Sequence, residues 1–318
     1  MTALRLAIPS KGRLKEQAET YFADAGLRLR QLGGSRGYSA TMEGAPDIEV
    51  RLLSAGEIAA GVASGEVHAG VTGEDLLREL SPDLEGLHLV MPLGFGKARL
   101  VVAAPKSWID VETMADLDDV AARYEQREGR RMRVATKYTR QTERFFTEQG
   151  VGHYRIVESA GATEGAPAAG AAEIVVDITT TGATLEGNGL KIVRDGVILS
   201  SEAQLVVSMT ADWSADARRA LERLVRSLEA RAAGRASQSL RFDAGFDPAK
   251  LAGDLRARLE VVGNGEAICS NADAASLAME ISAQGGGPVR VTSEDFIFRA
   301  HSERVETFYR ALFGTDAS

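Results

Sequence analysis

The stretch from residue 164 to residue 190 constrains the fold of this chain more than any other, because it joins an apolar strand to a turn and a helix. Ile174 to Val176 form a short continuous apolar run, which is typical of a buried strand in a parallel sheet. Asp177 follows where that strand is expected to emerge. Gly182, within the turn from Thr179 to Leu185, permits positive φ or a close backbone approach. The order of strand, turn and helix predicts an α/β fold.

The turn that follows Asp177 is rich in groups that bind an anion. Its threonine hydroxyls and successive backbone N–H groups can donate hydrogen bonds to a phosphate, and a helix expected from about Thr184 points its positive end at the same place. The candidate phosphate-binding residues are Thr179, Thr180, Thr181, Gly182, Ala183 and Thr184. Because the Asp177 carboxylate can accept hydrogen bonds from paired ribose hydroxyls, the pattern indicates a phosphoribosyl ligand.

Two other interpretations of this segment remain open. In an ordinary strand–turn–helix unit, the threonines merely cap the helix. A Walker-type nucleotide loop is less favoured, because the glycine-flanked Lys-Ser/Thr ending of such a loop is missing here. The density of threonines favours the phosphoribosyl site.

Residues 164–185 resemble the signature of the ATP phosphoribosyltransferase family, which catalyses the first step of histidine biosynthesis. That signature asks for Glu, a glycine six residues later, a small residue, a branched aliphatic residue and Asp, and it ends in Ser/Thr-Gly-x-Thr-Leu. The residues that meet it in register are Glu164, Gly170, Ala172, Val175, Asp177, Thr181, Gly182, Thr184 and Leu185. Further similarity lies in LRLAIPSKGRL, AGVTGEDLL, LGFGKARLVVAAP and RVATKYTRQTERFFTEQG, so the resemblance covers roughly residues 4–210.

The resemblance implies an activity and a set of partners. The expected reaction transfers the phosphoribosyl group of phosphoribosyl pyrophosphate to N1 of ATP, with inversion at the anomeric carbon, and releases pyrophosphate. Mg²⁺ is expected to arrive with the substrate phosphates, which also suits an ion that keeps its own waters. Histidine is the expected feedback inhibitor, and a homo-oligomer, either a dimer or a hexamer, is the expected assembly.

Strand and helix patterns alternate along the chain, as in an α/β protein with parallel sheets. A strand from Ser201 to Val207 is expected to return to the first lobe, which makes the connection between lobes double. Two such lobes resemble the periplasmic-binding-protein arrangement, which the family also has. The predicted domains are residues 1–93 with 194–211 for the first lobe, 94–193 for the second lobe with the phosphoribosyl loop, and 212–318 for a C-terminal helix and a small α+β module.

The C-terminal region departs from the histidine-binding regulatory domain that is usual in the family. A helix from Ser214 to Ala233, a linker at residues 234–239 and a helix over residues 248–259 are expected there. By position and size alone, this region is predicted to be a regulatory or assembly module.

Three further groups of residues are candidates for the ATP and pyrophosphate sites. Lys11, Gly12 and Arg13 follow the first strand directly, where the alternative is a solvated helix start. Gly73, Glu74 and Asp75 form a second strand-to-helix turn, where the acids can simply complement the helix dipole. By resemblance, both loops bind ATP. Lys97 and Arg99 are interpreted as ligands of the pyrophosphate leaving group.

The predicted catalytic residues are Lys11, Arg13 and Glu164. The ring nitrogen N1 of adenine is already a nucleophile, so catalysis is expected to rest mainly on positioning and on electrostatic stabilisation of the leaving group. Glu164 can orient a substrate hydroxyl, accept a proton or brace the loop, and bracing is favoured. No protein metal site is predicted, because the chain's four histidines lack ligand spacing.

Composition restricts the setting in which the chain works. A net charge of -8 over 318 residues argues against nucleic acid as a partner. The single cysteine, Cys269, excludes an intrachain disulfide. A strand that starts within three residues of the N-terminus and the lack of an 18-residue apolar span predict no signal peptide and no membrane segment, so a cytoplasmic location is expected.

Two rival classes remain. A non-catalytic, two-lobed small-molecule binding module has the same fold, but it has no reason to carry Asp177 with a threonine loop. A catalytic subunit that works only with a histidyl-tRNA-synthetase-like partner is the second alternative, because short members of the family work in this way.

Overall fold

The computed structural model describes residues 3–32, 38–159 and 161–314. The chain divides into two compact units. The first unit holds most of the residues up to Ser214, and the second unit holds the residues from Ala215 onward. The strands are β1 Leu4–Pro9, β2 Leu29–Leu32, β3 Ser39–Met42, β4 Ile48–Leu53, β5 Ala69–Gly73, β6 Leu87–Pro92, β7 Ala98–Pro105, β8 Met132–Thr136, β9 Tyr154–Glu158, β10 Ile174–Thr179, β11 Leu190–Ser201, β12 Ala203–Ser208, β13 Ser237–Arg241, β14 Glu260–Gly263, β15 Glu266–Ser270 and β16 Arg290–Ser293. The helices are α1 Gly12–Asp24, α2 Ala55–Ser64, α3 Glu74–Leu80, α4 Met114–Glu128, α5 Thr139–Glu148, α6 Ala183–Gly187, α7 Ala215–Ala236, α8 Gly253–Arg256, α9 Ala274–Ala283 and α10 Glu303–Phe313.

The first lobe is built on a seven-stranded sheet of order β2-β3-β4-β1-β5-β12-β6. Strand β1 runs parallel to β4 and β5, whereas β12 runs antiparallel to β5 and β6. Ile58 and Val62 of α2 are fully buried against this sheet, together with Val206 of β12. The carboxyl ends of β1, β4 and β5 therefore meet at one edge, which is where ligands bind in open α/β sheets.

The second lobe is built on a five-stranded sheet of order β11-β7-β10-β8-β9. Strand β8 runs parallel to β10 and β9, and β7 runs antiparallel to β10 and β11. Helix α4 starts at a capping box between Thr113 and Asp116 and ends at Gly129 in the left-handed region, so its sequence fixes both of its ends. Leu117 of α4 and Phe146 of α5 are fully buried in the core of this lobe.

Two segments connect the lobes, residues 93–97 and residues 201–203. They lie side by side, because the Leu93 N–H donates to the Ala203 carbonyl at 2.9 Å and the Ala203 N–H donates to the Phe95 carbonyl at 2.9 Å. The predicted α/β fold with two lobes and a double connection is confirmed. Because β11 belongs to the second sheet as far as Ser201, strand pairing favours a boundary after that residue rather than at residue 194, and the division into domains stays a prediction.

The C-terminal unit contains a four-stranded antiparallel sheet of order β14-β15-β13-β16. Leu277 and Ile281 of α9 are fully buried against it, and Leu240 of β13 lies in the same core. The predicted small α+β module is therefore present. Cys269 is buried within this core, as expected for a packed small residue.

Two predicted elements of this unit are wrong. Residues 234–239 are not a linker, because α7 continues to Ala236 and β13 begins at Ser237. The expected helix over residues 248–259 is instead a 3-10 turn, Pro248–Lys250, followed by the one-turn helix α8. Among the described residues, no helix has the length and apolar character that crossing a membrane requires.

A buried histidine, His68, links β1 to the end of the first lobe. The Arg5 N–H donates to His68 Nδ1 at 3.0 Å, so the ring proton must lie on Nε2, which is 3.0 Å from the Asp212 carbonyl. The ring also packs on Trp213, with 5.0 Å between centroids. Burial lowers the pKa of His68 from its ordinary value of 6.5. Protonation would place a second donor against the Arg5 N–H.

We expect the free energy of unfolding to fall as the pH drops below 6.5, the ordinary histidine pKa. The unfolded chain binds a proton there while folded His68 stays neutral, so stability is complete above the unfolded pKa and is lost below it, by about 1.4 kcal/mol per pH unit until the folded pKa is reached. Urea unfolding on both sides of this pH, for the parent and for His68→Asn, measures the effect. Equal pH slopes in the two proteins would contradict it.

Candidate active site

The threonine loop after β10 is held in shape by its own hydroxyls. Thr179 Oγ1 accepts from the Gly182 N–H at 2.8 Å, and Thr181 Oγ1 accepts from the Ala183 N–H at 3.3 Å. Gly182 has φ +85°, a left-handed conformation that favours glycine. Helix α6 begins immediately afterwards but is only five residues long, so its dipole is weaker than the sequence suggested. Helix geometry leaves the N–H groups of Thr184 and Leu185 without a carbonyl partner inside α6.

Asp177 lies near the carboxyl end of β10 and is partly buried. Its carboxylate accepts a hydrogen bond from the N–H of Ile178 at 2.8 Å. Burial raises the pKa of Asp177 above its ordinary value, the nearby Lys137 opposes that shift and the negative charge of Glu164 adds to it. Glu164 itself lies in a 3-10 turn, Thr163–Gly165, that precedes the strand. Glu164 and Lys137 are thus both near enough to Asp177 to influence its pKa, and the roles of Asp177 and Glu164 stay a prediction.

A cavity of about 410 Å³ joins the start of β7 to the second crossover. Its lining residues are Glu74, Lys97, Ala98, Arg99, Thr180, Ser200, Ser201 and Glu202. Arg99 is paired on β7 with Thr179 on one side and with Ser200 on the other, so its place between the loop and the crossover is fixed by strand register. Thr180 Oγ1 donates to the Lys97 carbonyl at 3.4 Å. Two predicted pyrophosphate ligands, one loop threonine and one predicted ATP-binding acid therefore line one cavity.

The loop Lys11–Arg13 lies at the carboxyl end of β1, on the edge of the first sheet where β4 and β5 also end. The Ser10 N–H donates to the Leu53 carbonyl at 2.8 Å, and Gly12 has φ +73°, so the turn needs the glycine. Lys11 and Arg13 are exposed and are not among the residues that line the 410 Å³ cavity.

The turn Gly73–Asp75 places its two acids differently. Glu74 bonds to Arg78 at 2.7 Å and accepts from Gln204 at 3.2 Å, while still lining the cavity. Asp75 is only 7% exposed, and both of its carboxylate oxygens accept hydrogen bonds from protein hydroxyls. A side chain at Gly73 would meet Asp75 Oδ1 at 2.3 Å, so glycine is required. The predicted ATP contact of Asp75 finds no support in this arrangement, because its carboxylate is already occupied.

Sequence reasoning missed Lys137, Tyr138 and Ser201. Lys137 follows β8 directly, and its Nζ lies 5.0 Å from the centre of the Tyr138 ring. Its position after a parallel strand is the signal that could have identified it, since the carboxyl ends of such strands form the ligand edge. Tyr138 and Ser201 carried no such local signal. Within the described parts of the chain, no group of three or more His, Cys, Asp or Glu side chains could hold a metal ion.

Two sheets joined by a double connection define a two-lobed α/β protein, and the hydroxyl-rich loop and the two cations contribute to the lining of one cavity in it. A model of the ATP phosphoribosyltransferase family matches residues 54–230 of this chain. The ATP phosphoribosyltransferase of Caulobacter vibrioides is 52% identical over 316 residues, which is 98% of each chain. That of Rhodopseudomonas palustris strain BisB18 is 59% identical over 217 residues, which is 68% of this chain and 67% of the relative.

The chain belongs to the ATP phosphoribosyltransferase family. It is a transferase that catalyses the first step of histidine biosynthesis, as the signature predicted. Among solved structures, the ATP phosphoribosyl transferase (HisG:HisZ) complex from Thermotoga maritima matches with a TM-score of 0.55 and 27% identity, over 71% of this chain and 96% of the other. Similarity to the Caulobacter protein extends beyond the region in which the motifs were found and covers the C-terminal unit as well.

Proposed function

We propose that the second lobe binds phosphoribosyl pyrophosphate through Asp177 and the threonine loop, and that the reaction proceeds beside Lys97 and Arg99. The observation that carries this proposal is the shared cavity, which Lys97, Arg99 and Thr180 line together. The Asp177 carboxylate accepts from the ribose hydroxyls, and the loop N–H groups bind the 5-phosphate. The raised pKa of Asp177 suits the binding of ribose, because hydrogen bonds donated by the ribose hydroxyls would stabilise a carboxylate that burial disfavours.

On the first lobe, the proposed ATP contacts are Lys11, Gly12 and Arg13 with Gly73 and Glu74. The two loops follow β1 and β5, which end at the same edge of one sheet. A nucleotide that spans this edge can therefore contact both loops. Arg13 is exposed at the loop and can fork onto phosphate or stack on adenine. Asp75 is left out of this set because its oxygens are bonded inside the protein.

Leaving-group stabilisation is the main chemical task of the site. Adenine N1 attacks the anomeric carbon, the bond from that carbon to the pyrophosphate oxygen breaks, and the pyrophosphate leaves with the bonding electron pair. Lys97 and Arg99 neutralise the charge that develops on the pyrophosphate, and Mg²⁺ arriving with the substrate phosphates would supply further positive charge there. For Glu164, whose negative charge adds to the raised pKa of Asp177, the role we propose is to brace the loop.

The activity is tested with the purified chain, ATP, phosphoribosyl pyrophosphate and Mg²⁺. We expect phosphoribosyl-ATP and pyrophosphate to form in equal amounts, and product formation to stop when Mg²⁺ is chelated. The product is followed by its absorbance and identified by mass spectrometry. If no product forms, even with a histidyl-tRNA-synthetase-like subunit present, the proposal is wrong.

We also propose that the C-terminal unit regulates or assembles the enzyme, with histidine as inhibitor. The support is its separate core and the fact that the Thermotoga chain matches over 96% of its own length while covering only 71% of this chain. The extra part has its own sheet, so it can bind a second ligand that biases the transferase.

Removal of residues 215–318 should therefore leave the binding of phosphoribosyl pyrophosphate unchanged. It should change either the inhibition by histidine or the oligomeric state, which we expect to be a dimer or a hexamer in the full chain. Calorimetry, a histidine titration of activity and light scattering on the full and shortened chains measure the three quantities. If inhibition and assembly are both unchanged, the regulatory role is refuted. If the shortened chain is active only with a synthetase-like partner, the alternative of a two-subunit enzyme gains support.

A further inference from the structure

A buried hydrogen-bond network ties the two lobes together at Asp75. The Tyr138 hydroxyl donates to Asp75 Oδ2 at 2.7 Å, and the Ser201 hydroxyl donates to Oδ1 at 2.8 Å. Ser201 Oγ also accepts from the Asp75 N–H at 3.0 Å. Tyr138 is 0%, Ser201 5% and Asp75 7% exposed. Asp75 belongs to α3 of the first lobe, Tyr138 precedes α5 of the second, and Ser201 ends β11, so one carboxylate joins three separate segments.

A second set of contacts holds the same two helices. Glu79 of α3 accepts from the N–H groups of Arg140 and Gln141 at 3.0 and 3.2 Å. Gln141 Nε2 donates to the Asp75 carbonyl at 2.8 Å. The N-cap residue of α5, Tyr138, makes no side-chain capping bond, so the first turn of α5 is capped by an acid of the other lobe. The spacing of α3 and α5 is thus set by directional bonds from both helices.

Each member of this network adjoins a residue of the proposed substrate sites. Asp75 follows Glu74, and Ser201 is itself a lining residue of the cavity. Tyr138 follows Lys137, whose charge acts on Asp177. Any shift of α3 against α5 therefore moves the ATP side of the cleft relative to the phosphoribosyl side.

We propose that Asp75, Tyr138 and Ser201 are positioning residues, which hold the two half-sites at the spacing that lets adenine N1 reach the anomeric carbon. This inference rests on the proposed function of the two half-sites. Apolar contact alone tolerates sliding between lobes, whereas bonds to a buried carboxylate have fixed lengths and directions. Since a misplacement of about 1 Å can cost about 100-fold in rate, loss of the network should lower kcat while each substrate still binds its own lobe.

The test compares Tyr138→Phe with Tyr124→Phe. Tyr124 also donates its hydroxyl to a carboxylate, at 2.9 Å to Glu173, but both of those residues lie in the second lobe. We expect Tyr138→Phe to lower kcat about 10- to 100-fold, with the separately measured Kd of ATP and of phosphoribosyl pyrophosphate changed less than about threefold. Tyr124→Phe should keep the parent kcat. Ser201→Ala is the second variant, and it should behave as Tyr138→Phe does.

Three distinguishable results would overturn either the inference or the proposed function on which it rests. If kcat falls no further in Tyr138→Phe than in Tyr124→Phe, the network is only structural. If the Kd of one substrate rises by as much as kcat/KM falls, the residues belong to a binding site instead. If the parent protein forms no phosphoribosyl-ATP, the proposed function itself fails and the inference with it. Should Tyr138→Phe not fold, Ser201→Ala decides by the same criteria.

Discussion

Asp177→Asn should raise the KM for phosphoribosyl pyrophosphate about 10- to 100-fold, because it removes a charged acceptor whose hydrogen bonds contribute about 1.5 to 3 kcal/mol. Stability should not suffer. Since burial raises the pKa of Asp177, the ionised carboxylate costs free energy in the unliganded protein at neutral pH, and that cost disappears when the group is neutral. The amide should therefore leave the melting temperature unchanged or raise it. Steady-state kinetics and calorimetry measure the two effects.

Asp110→Asn is the matched control for this substitution. Asp110 is an exposed acid of the same lobe, in the segment after the far end of β7. The control should retain the parent KM. If Asp177→Asn keeps the parent KM and kcat, Asp177 is not part of the site. If the variant loses both substrate binding and stability, the role of Asp177 is structural.

Arg99→Ala should lower kcat about 100-fold, which is the usual loss when one preorganised donor to a developing anion is removed. Strand register fixes the backbone of Arg99 between Thr179 and Ser200. Inhibition by added pyrophosphate should weaken in parallel, because the same guanidinium would bind the product. Initial rates with and without pyrophosphate provide both measurements.

Arg123→Ala is the control for the loss of a positive charge. Arg123 lies on α4 of the same lobe, and its hydrogen bond and ion pair both go to Asp119 of the same helix. We expect the control to keep the parent kcat and pyrophosphate inhibition. Equal losses in the two variants would indicate that only the net charge of the lobe matters.

The central strands were predictable from sequence because most of their residues are apolar. Strands β1, β7 and β10 each carry a single charged residue, Arg5, Arg99 and Asp177 respectively, within an otherwise mainly apolar run, as buried strands require. Strands β2 and β3 were missed, because they are four residues long and alternate in exposure. A short amphipathic strand at a sheet edge looks like a loop until its partner is known.

Gly234 was misinterpreted because a glycine can mark either a flexible linker or a close backbone contact. The sequence suggested flexibility, but Gly234 lies inside α7, where a side chain would come within 2.7 Å of the Asp295 backbone. The glycine allows another segment to pass close to the helix. In the helix expected from residue 248, Pro248 and Gly253 mark the starts of two short turns instead of one long helix.

The candidate site was predictable where its chemistry is local. The threonine loop and Asp177 are adjacent in sequence, so a common role could be proposed from spacing alone. Lys137 and Ser201 approach the site only through pairing of distant strands, which no local pattern encodes. Asp75 was assigned to ATP by resemblance, and its hydrogen bonds to the hydroxyls of two segments distant in sequence could not be read from its own loop.

The place of β12 in the first sheet has a consequence for synthesis of the chain on the ribosome. Strand β12 lies between β5 and β6, with Leu205 opposite Val71 on one side and Met91 on the other. Those two strands emerge more than a hundred residues earlier and must wait, side by side but unpaired, until β12 arrives. The second lobe, from β7 to β11, is continuous in sequence and can fold first. The nascent protein therefore carries two open strand edges while more than a hundred further residues are synthesised, and these edges are exposed to pairing with other chains.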